Sequence, residues 1–191
     1  LDRPGGFRSL SMLSRIGLYG LLLHPRLYWI PASMPFLGLG KTVYDESFEI
    51  ACLSEVQLCA GAKLFPNLDQ LRAHREKVSA QLVQAIADDD RFTVPGHSSD
   101  QSRSYLRLPV LAKDRQLRDE AIRSLRKAGV VASNMYPSSI NAIPGIGSRL
   151  ANAGERFPGA ESVAERLFTL PTHPYVTDKI IDKIIHCLKN L

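Results

Sequence analysis

Between residues 12 and 40 the sequence MLSRIGLYGLLLHPRLYWIPASMPFLGLG carries an uninterrupted apolar run, Ile16 to Leu23, bordered by Arg15, His24 and Arg26. The run is too short to span a bilayer. It admits two readings: a buried helix that breaks before Pro25, or an interfacial helix with Tyr19, Tyr28 and Trp29 at headgroup depth. The buried helix is the simpler of the two.

From Phe48 onward the pattern tightens. Residues 54–64 are small and apolar and predict a buried helix. Pro66 and Asn67 then start a longer one, in which Leu68, Leu71, Val78, Leu82 and Ile86 recur at helical intervals. ADDDRFTVPGHSSDQSRS reads as a polar loop. YLRLPVLA alternates, placing Leu106, Leu108 and Val110 on one face of a strand whose Pro109 suggests a sheet edge. Asp114 is placed to cap a helix striped by Leu117, Ala121, Ile122 and Leu125, and Gly129 to stop it. VVASNMY predicts a second strand, and the Pro- and Gly-rich stretch from Pro137 to Gly159 an irregular loop. A short helix over 160–168 follows, then the turn LPTHP. Thr177 is placed to cap a last helix whose Ile180, Ile181, Ile184, Ile185 and Leu188 form one stripe. Helices against a short sheet make a small α/β sandwich over 48–191, behind an apolar helical extension over 1–47.

Composition narrows the function more than the fold. A 191-residue chain that is 45% hydrophobic can bury one sizeable core. The net charge of +5 would suit nucleic acid, but in the densest run, Arg115 to Lys127, Asp119 and Glu120 interleave at helical spacing; that is a solvated helix face, and nucleic acid is not the expected partner. Cys52, Cys59 and Cys187 match no metal or redox spacing and read as reduced thiols of a cytoplasmic protein. The opening LDRPGGFRSL has neither an initiator Met nor a signal pattern, and reads as the middle of something longer.

The chemistry is sparse. GLGK at 38–41 is too short for a phosphate loop, and the histidines 24, 74, 97, 173 and 186 show no metal-binding spacing. His74 and His173 read as solvent-facing, and His186 as favouring its helix C-terminus. Asp88, Asp89 and Asp90 form an acidic cluster that reads as solubilising rather than metal-binding. Tyr136 leaves a strand for an irregular loop and is the best candidate for a substrate-facing residue, with a packed ring as the alternative. Asn134 and Asn141 accompany it.

The ordered segments LSEVQLCAGAKLFPNLDQLRAHREKVSAQL, SYLRLPVLAKDRQLRDEAIRSLRKAGVVASNMYP and FPGAESVAERLFTLPTHPYVTDKIIDKIIHCL resemble the C-terminal part of DegT/DnrJ/StrS-type sugar aminotransferases over residues 48–191. The resemblance implies the small α/β domain of a fold type I, pyridoxal-phosphate enzyme that moves an amino group from a donor to a keto-sugar nucleotide, in cell-surface polysaccharide or deoxysugar synthesis. It also implies a homodimer, cytoplasmic and, if residues 12–40 meet lipid, peripheral to the inner membrane. The family's Schiff-base lysine lies upstream, and Lys41 does not match it, so this stretch reads as a C-terminal fragment that contributes substrate cleft and dimer interface and binds no pyridoxal phosphate alone. Ile50 and Cys52 stand where relatives commonly carry Asn and Arg, and Met135 and Asn141 where they carry two histidines around a Tyr-Pro. Those departures support the alternative of a non-catalytic binding or regulatory module on the same fold.

Overall fold

The computed structural model describes residues 6–22, 27, 29–32, 34, 50, 52–96, 103–136, 138–152 and 154–191. The helices are α1 (Gly6–Leu22), α2 (Trp29–Ala32), α3 (Glu55–Leu64), α4 (Leu68–Ile86), α5 (Arg115–Lys127), α6 (Pro158–Arg166) and α7 (Asp178–Lys189). The strands are β1 (Phe92–Thr93), β2 (Arg107–Ala112) and β3 (Leu167–Pro171). GLGK with Lys41, the expected 47/48 boundary, and His24, Pro25, Tyr28, His97 and Pro137 lie outside the described residues. The chain divides into two compact units, Leu1–Asp69 and Gln70–Leu191.

In the first unit, Ser54 and Gln57 close a reciprocal cap on α3: the Gln57 N–H donates to Ser54 Oγ at 3.3 Å and the Ser54 N–H to Gln57 Oε1 at 2.8 Å. LSEVQ therefore starts a helix as its pattern predicts. The predicted burial does not follow. No residue of α3 is buried, and on α1 Leu10, Leu13, Ile16, Leu18, Tyr19 and Leu21 are all exposed. A helix can hide one stripe against a neighbour, whereas the apolar residues of α1 spread around most of its circumference. No described helix is long and apolar enough to cross a membrane.

The second unit is a two-layer sandwich. Its sheet has the order β1-β2-β3, antiparallel throughout. Side chains alternate across β2, so Leu108, Val110 and Ala112 point to one face; Leu108 pairs with Leu170 and Val110 with Phe168. These join Val78, Leu82 and Ile86 of α4, Ala121 and Leu125 of α5, and Ile181, Ile184 and Leu188 of α7 in one buried cluster. Leu106, assigned to this face by its spacing, precedes the strand and is exposed, as are Leu68 and Leu71 at the start of α4. Asp114 caps α5 as expected, accepting the Leu117 N–H at 2.8 Å, and Gly129 ends it at φ 78°.

β3 stands where the pattern predicts the end of a helix over 160–168 and the start of the LPTHP turn; all five of its residues are buried, which erases alternation. The polar loop contains β1, whose buried Phe92 packs edge-on against Phe168 with ring centroids 6.0 Å apart. Within the acidic cluster, Asp89 chelates Arg91, whose guanidinium also donates to the carbonyls of Leu188 and Leu191 at the end of α7. That hydrogen bond from Arg91 holds the Asp89 carboxyl below its ordinary range.

Pro109, expected at an edge, lies in the central strand. Its partner Thr169 directs both its N–H and its C=O to Ser133 on the far side. Pro109 and Thr169 are thus a non-hydrogen-bonded pair, and the proline's missing donor faces away from β3. β1 pairs only with Leu111 and Ala112, so no described strand reaches that position.

Thr177 occupies the N-cap of α7, but its hydroxyl makes no capping bond; its carbonyl accepts the N–H groups of Ile180 and Ile181. Thr177→Ala should therefore shift stability by less than about 0.5 kcal/mol. Ile184, fully buried, should cost roughly 2–5 kcal/mol when cut to Ala. Chemical denaturation of both variants checks the contrast.

Candidate functional site

The face of the sheet opposite the core is polar at one place. Arg107 shares that face with Thr169: its Nε donates to Thr169 Oγ1 at 2.7 Å, and its Nη2 to the carbonyls of Val131 at 2.7 Å and Thr169 at 3.2 Å. Ser133 completes the brace, with its hydroxyl 3.2 Å from Thr169 Oγ1 and a backbone bridge to Thr169. The expected strand over 130–136 is reduced to this single bridge. Met135 takes φ 44°, a left-handed conformation that cannot continue a strand.

That turn delivers the sequence-predicted residues. Asn134 is half-buried and Tyr136 is 56% exposed, and the Tyr136 N–H donates to the Asn134 carbonyl. Within the described residues the Tyr136 ring is not packed into the core. Asn141 is not brought to them by any contact of its amide, which donates to the Glu155 carbonyl at 3.1 Å and ties the loop across itself. Buried Ser139 and Ile146 anchor the same loop. Tyr136 and Asn134 offer a ring face and amide groups, which suit hydroxylated or planar ligands. No cluster suited to a metal exists among the described residues.

A second polar cluster surrounds Thr172. Thr172, fully buried, donates to the carbonyls of Tyr105 and Leu106 at 2.6 and 2.9 Å; Arg75 donates to the Leu106 carbonyl at 2.7 Å and to Thr172 Oγ1 at 3.0 Å. His74 Nε2 lies 3.2 Å from the His173 carbonyl. Neither histidine faces solvent as predicted: both are half-buried, and His173 Nδ1 is buried without a partner. Burial, then the charges of Arg107, Arg75 and His74, lowers the pKa of His173. Its members come from positions 31 to 99 residues apart, so no local pattern could reveal it.

A three-stranded sheet under α4, α5 and α7, followed by an anchored irregular loop, is the architecture of the small α/β domain of fold type I aminotransferases. The chain belongs to the DegT/DnrJ/EryC1/StrS aminotransferase family, whose sequence profile matches residues 51–189. No curated protein matches in a sequence search. Among solved structures, the sugar aminotransferase CalS13 from Micromonospora echinospora aligns at TM-score 0.62 and 20% identity, over 72% of this chain and 35% of its own. A DegT DnrJ EryC1 StrS aminotransferase from Brucella abortus aligns at 0.62 and 22%, over 83% and 42%. A sugar aminotransferase from Streptococcus pneumoniae in its PLP-form aligns at 0.60 and 19%, over 72% and 35%. The chain thus spans well under half the length of these structures.

The family's cofactor does not fit the described residues. Every described lysine is exposed, whereas a lysine that holds pyridoxal phosphate needs an enclosed pocket. Ile50 and Cys52 are exposed as well and offer no strong donor to a phosphate or carboxylate.

Two outcomes test this geometry. Because His173 titrates lower folded than unfolded, the unfolded chain binds the extra proton between the two values. Stability from this group is complete above about pH 6.5 and is lost as pH falls through that value toward the lowered one. Urea midpoints measured across that window should drop in the wild type and drop less in His173→Asn. Arg107→Ala should cost about 1.5–3 kcal/mol, with faster hydrogen exchange at the Ser133 and Thr169 amides.

Proposed function

We propose that this chain is the C-terminal, substrate-side part of a pyridoxal-phosphate-dependent aminotransferase acting on a keto-sugar nucleotide. The observation that carries the reading is the family match, which runs unbroken across the sheet, its helices and the loop that bears Tyr136. Tyr136 and Asn134 meet the substrate, Asn141 braces the loop, and Arg107 holds its root. The amino transfer, and the lysine it requires, belong to residues other than those described. The parent enzyme is a cytoplasmic homodimer serving polysaccharide or deoxysugar synthesis, a role supported by the sugar aminotransferases it aligns with.

A second reading, a binding or regulatory module without catalysis, is favoured by exposed Ile50 and Cys52 at positions where the resemblance expects Asn and Arg. Two measurements on the purified chain bear on these readings. Borohydride treatment with pyridoxal phosphate should fix no cofactor stoichiometrically on any one lysine; stoichiometric labelling at a single site overturns the assignment of that lysine elsewhere. Titration with a uridine diphosphate sugar should perturb NMR signals at residues 134–141, and Tyr136→Ala should weaken binding by roughly tenfold. Perturbation elsewhere only would remove the substrate role from this loop.

A further inference from the structure

Among the described residues, left-handed φ values fall on Gly96, Gly129 and Gly145, at 66°, 78° and 84°, and on one residue with a side chain, Met135 at 44°. A Cβ opposes that conformation, so a methionine is held in it at a cost in free energy. Core packing does not account for the cost, since Met135 is 43% exposed.

The angle redirects the chain. The Tyr136 N–H returns to the Asn134 carbonyl and closes a three-residue turn about Met135. Turns of this kind with a positive φ at the centre are rare and strained. The flanks impose it: Ser133 is locked to Thr169 by backbone bonds of 2.8 and 3.4 Å, and beyond the turn Ser139 is buried, with its carbonyl accepting the Ala142 N–H at 3.1 Å. In the extended strand that VVASNMY predicts, Asn134 and Tyr136 would point to one face together. The turn parts them, leaving Asn134 half-buried and Tyr136 56% exposed. Strain kept at one residue beside a candidate site points to a role in that site.

We propose that Met135 is a positioning residue for the substrate: its left-handed backbone, rather than its side chain, turns Tyr136 out to meet the ligand. This rests on the assignment of Tyr136 and Asn134 to a sugar nucleotide made above. Affinity then depends on the fraction of chains in which residue 135 holds a positive φ, and any shift away from that angle weakens binding in proportion.

Substitution separates the angle from the side chain. Met135→Gly removes the side chain and accepts the angle, whereas Met135→Val keeps an apolar side chain and, being β-branched, resists it. Position 135 lies outside the buried cluster, so both variants should unfold cooperatively in urea, the glycine variant at or above the wild-type midpoint and the valine variant below it. In NMR titrations of the purified chain with uridine diphosphate glucose, Met135→Gly should bind as tightly as wild type or more tightly, and Met135→Val roughly tenfold more weakly. Equal weakening by both substitutions overturns the proposal, because the side chain would then be the contact. Wild-type affinity in Met135→Val overturns it too, because the angle would be incidental. Hydrogen exchange at the Tyr136 amide reads the turn without any ligand: it should be slow in wild type and Met135→Gly and fast in Met135→Val, and equal rates in wild type and Met135→Val also overturn the proposal. If wild type binds no sugar nucleotide while the three exchange rates differ as expected, the substrate reading of the loop is what fails, and Met135 remains the residue that sets the direction of Tyr136.

Discussion

The pairing of β2 with β3 is the constraint on which the second unit rests. Its five matched residue pairs put Leu108, Val110, Phe168 and Leu170 on one face and Arg107 with Thr169 on the other. The first set nucleates the buried cluster that seats α4, α5 and α7. The second fixes Ser133 and Val131, and thereby the root of the loop that carries Asn134 and Tyr136. Side-chain direction reverses at each residue of a strand, so a slip of one position would exchange the two sets. It would bury a guanidinium among leucines and expose the core, which ties loop placement and core packing to a single register.

What the sequence made legible, and what it hid, follows from where each signal resides. α5 and α7 announce themselves through caps and one-sided stripes, because each faces the sheet on one side and solvent on the other. β2 is legible for the same reason. β3 is not, since strands covered on both faces lose alternation, and its Pro171 sits inside a turn-like LPTHP. Tyr136 could be nominated from its loop, but its supporter Arg107 lies 29 residues earlier and carried no local mark. The family resemblance held over the same span in which caps and stripes were clear.

Polar groups near the sheet are spent on chain geometry. Arg75, Arg91 and Arg107 each donate to backbone carbonyls distant in sequence, and Arg118, almost fully buried, reaches the Ala164 carbonyl to tie α5 to α6. A guanidinium has several donors in a fixed plane and can serve two segments at once, which an ammonium does less well. A small domain with three short strands has few ladder bonds; these arginines supply cross-links that a larger sheet would obtain from additional strands.

The proline in the central strand also bears on how the molecule behaves in a crowd. Among the described strands β1 covers only Leu111 and Ala112 on that side of β2, and an unpaired flank ordinarily templates the addition of a strand from another chain. At Pro109 an arriving strand meets a carbonyl but no amide hydrogen, so the ladder is interrupted near the middle of the open flank. The residue that looks out of place in the strand thereby withholds one donor from any strand that would add there, and a strand-forming valine in its place would restore the missing rung.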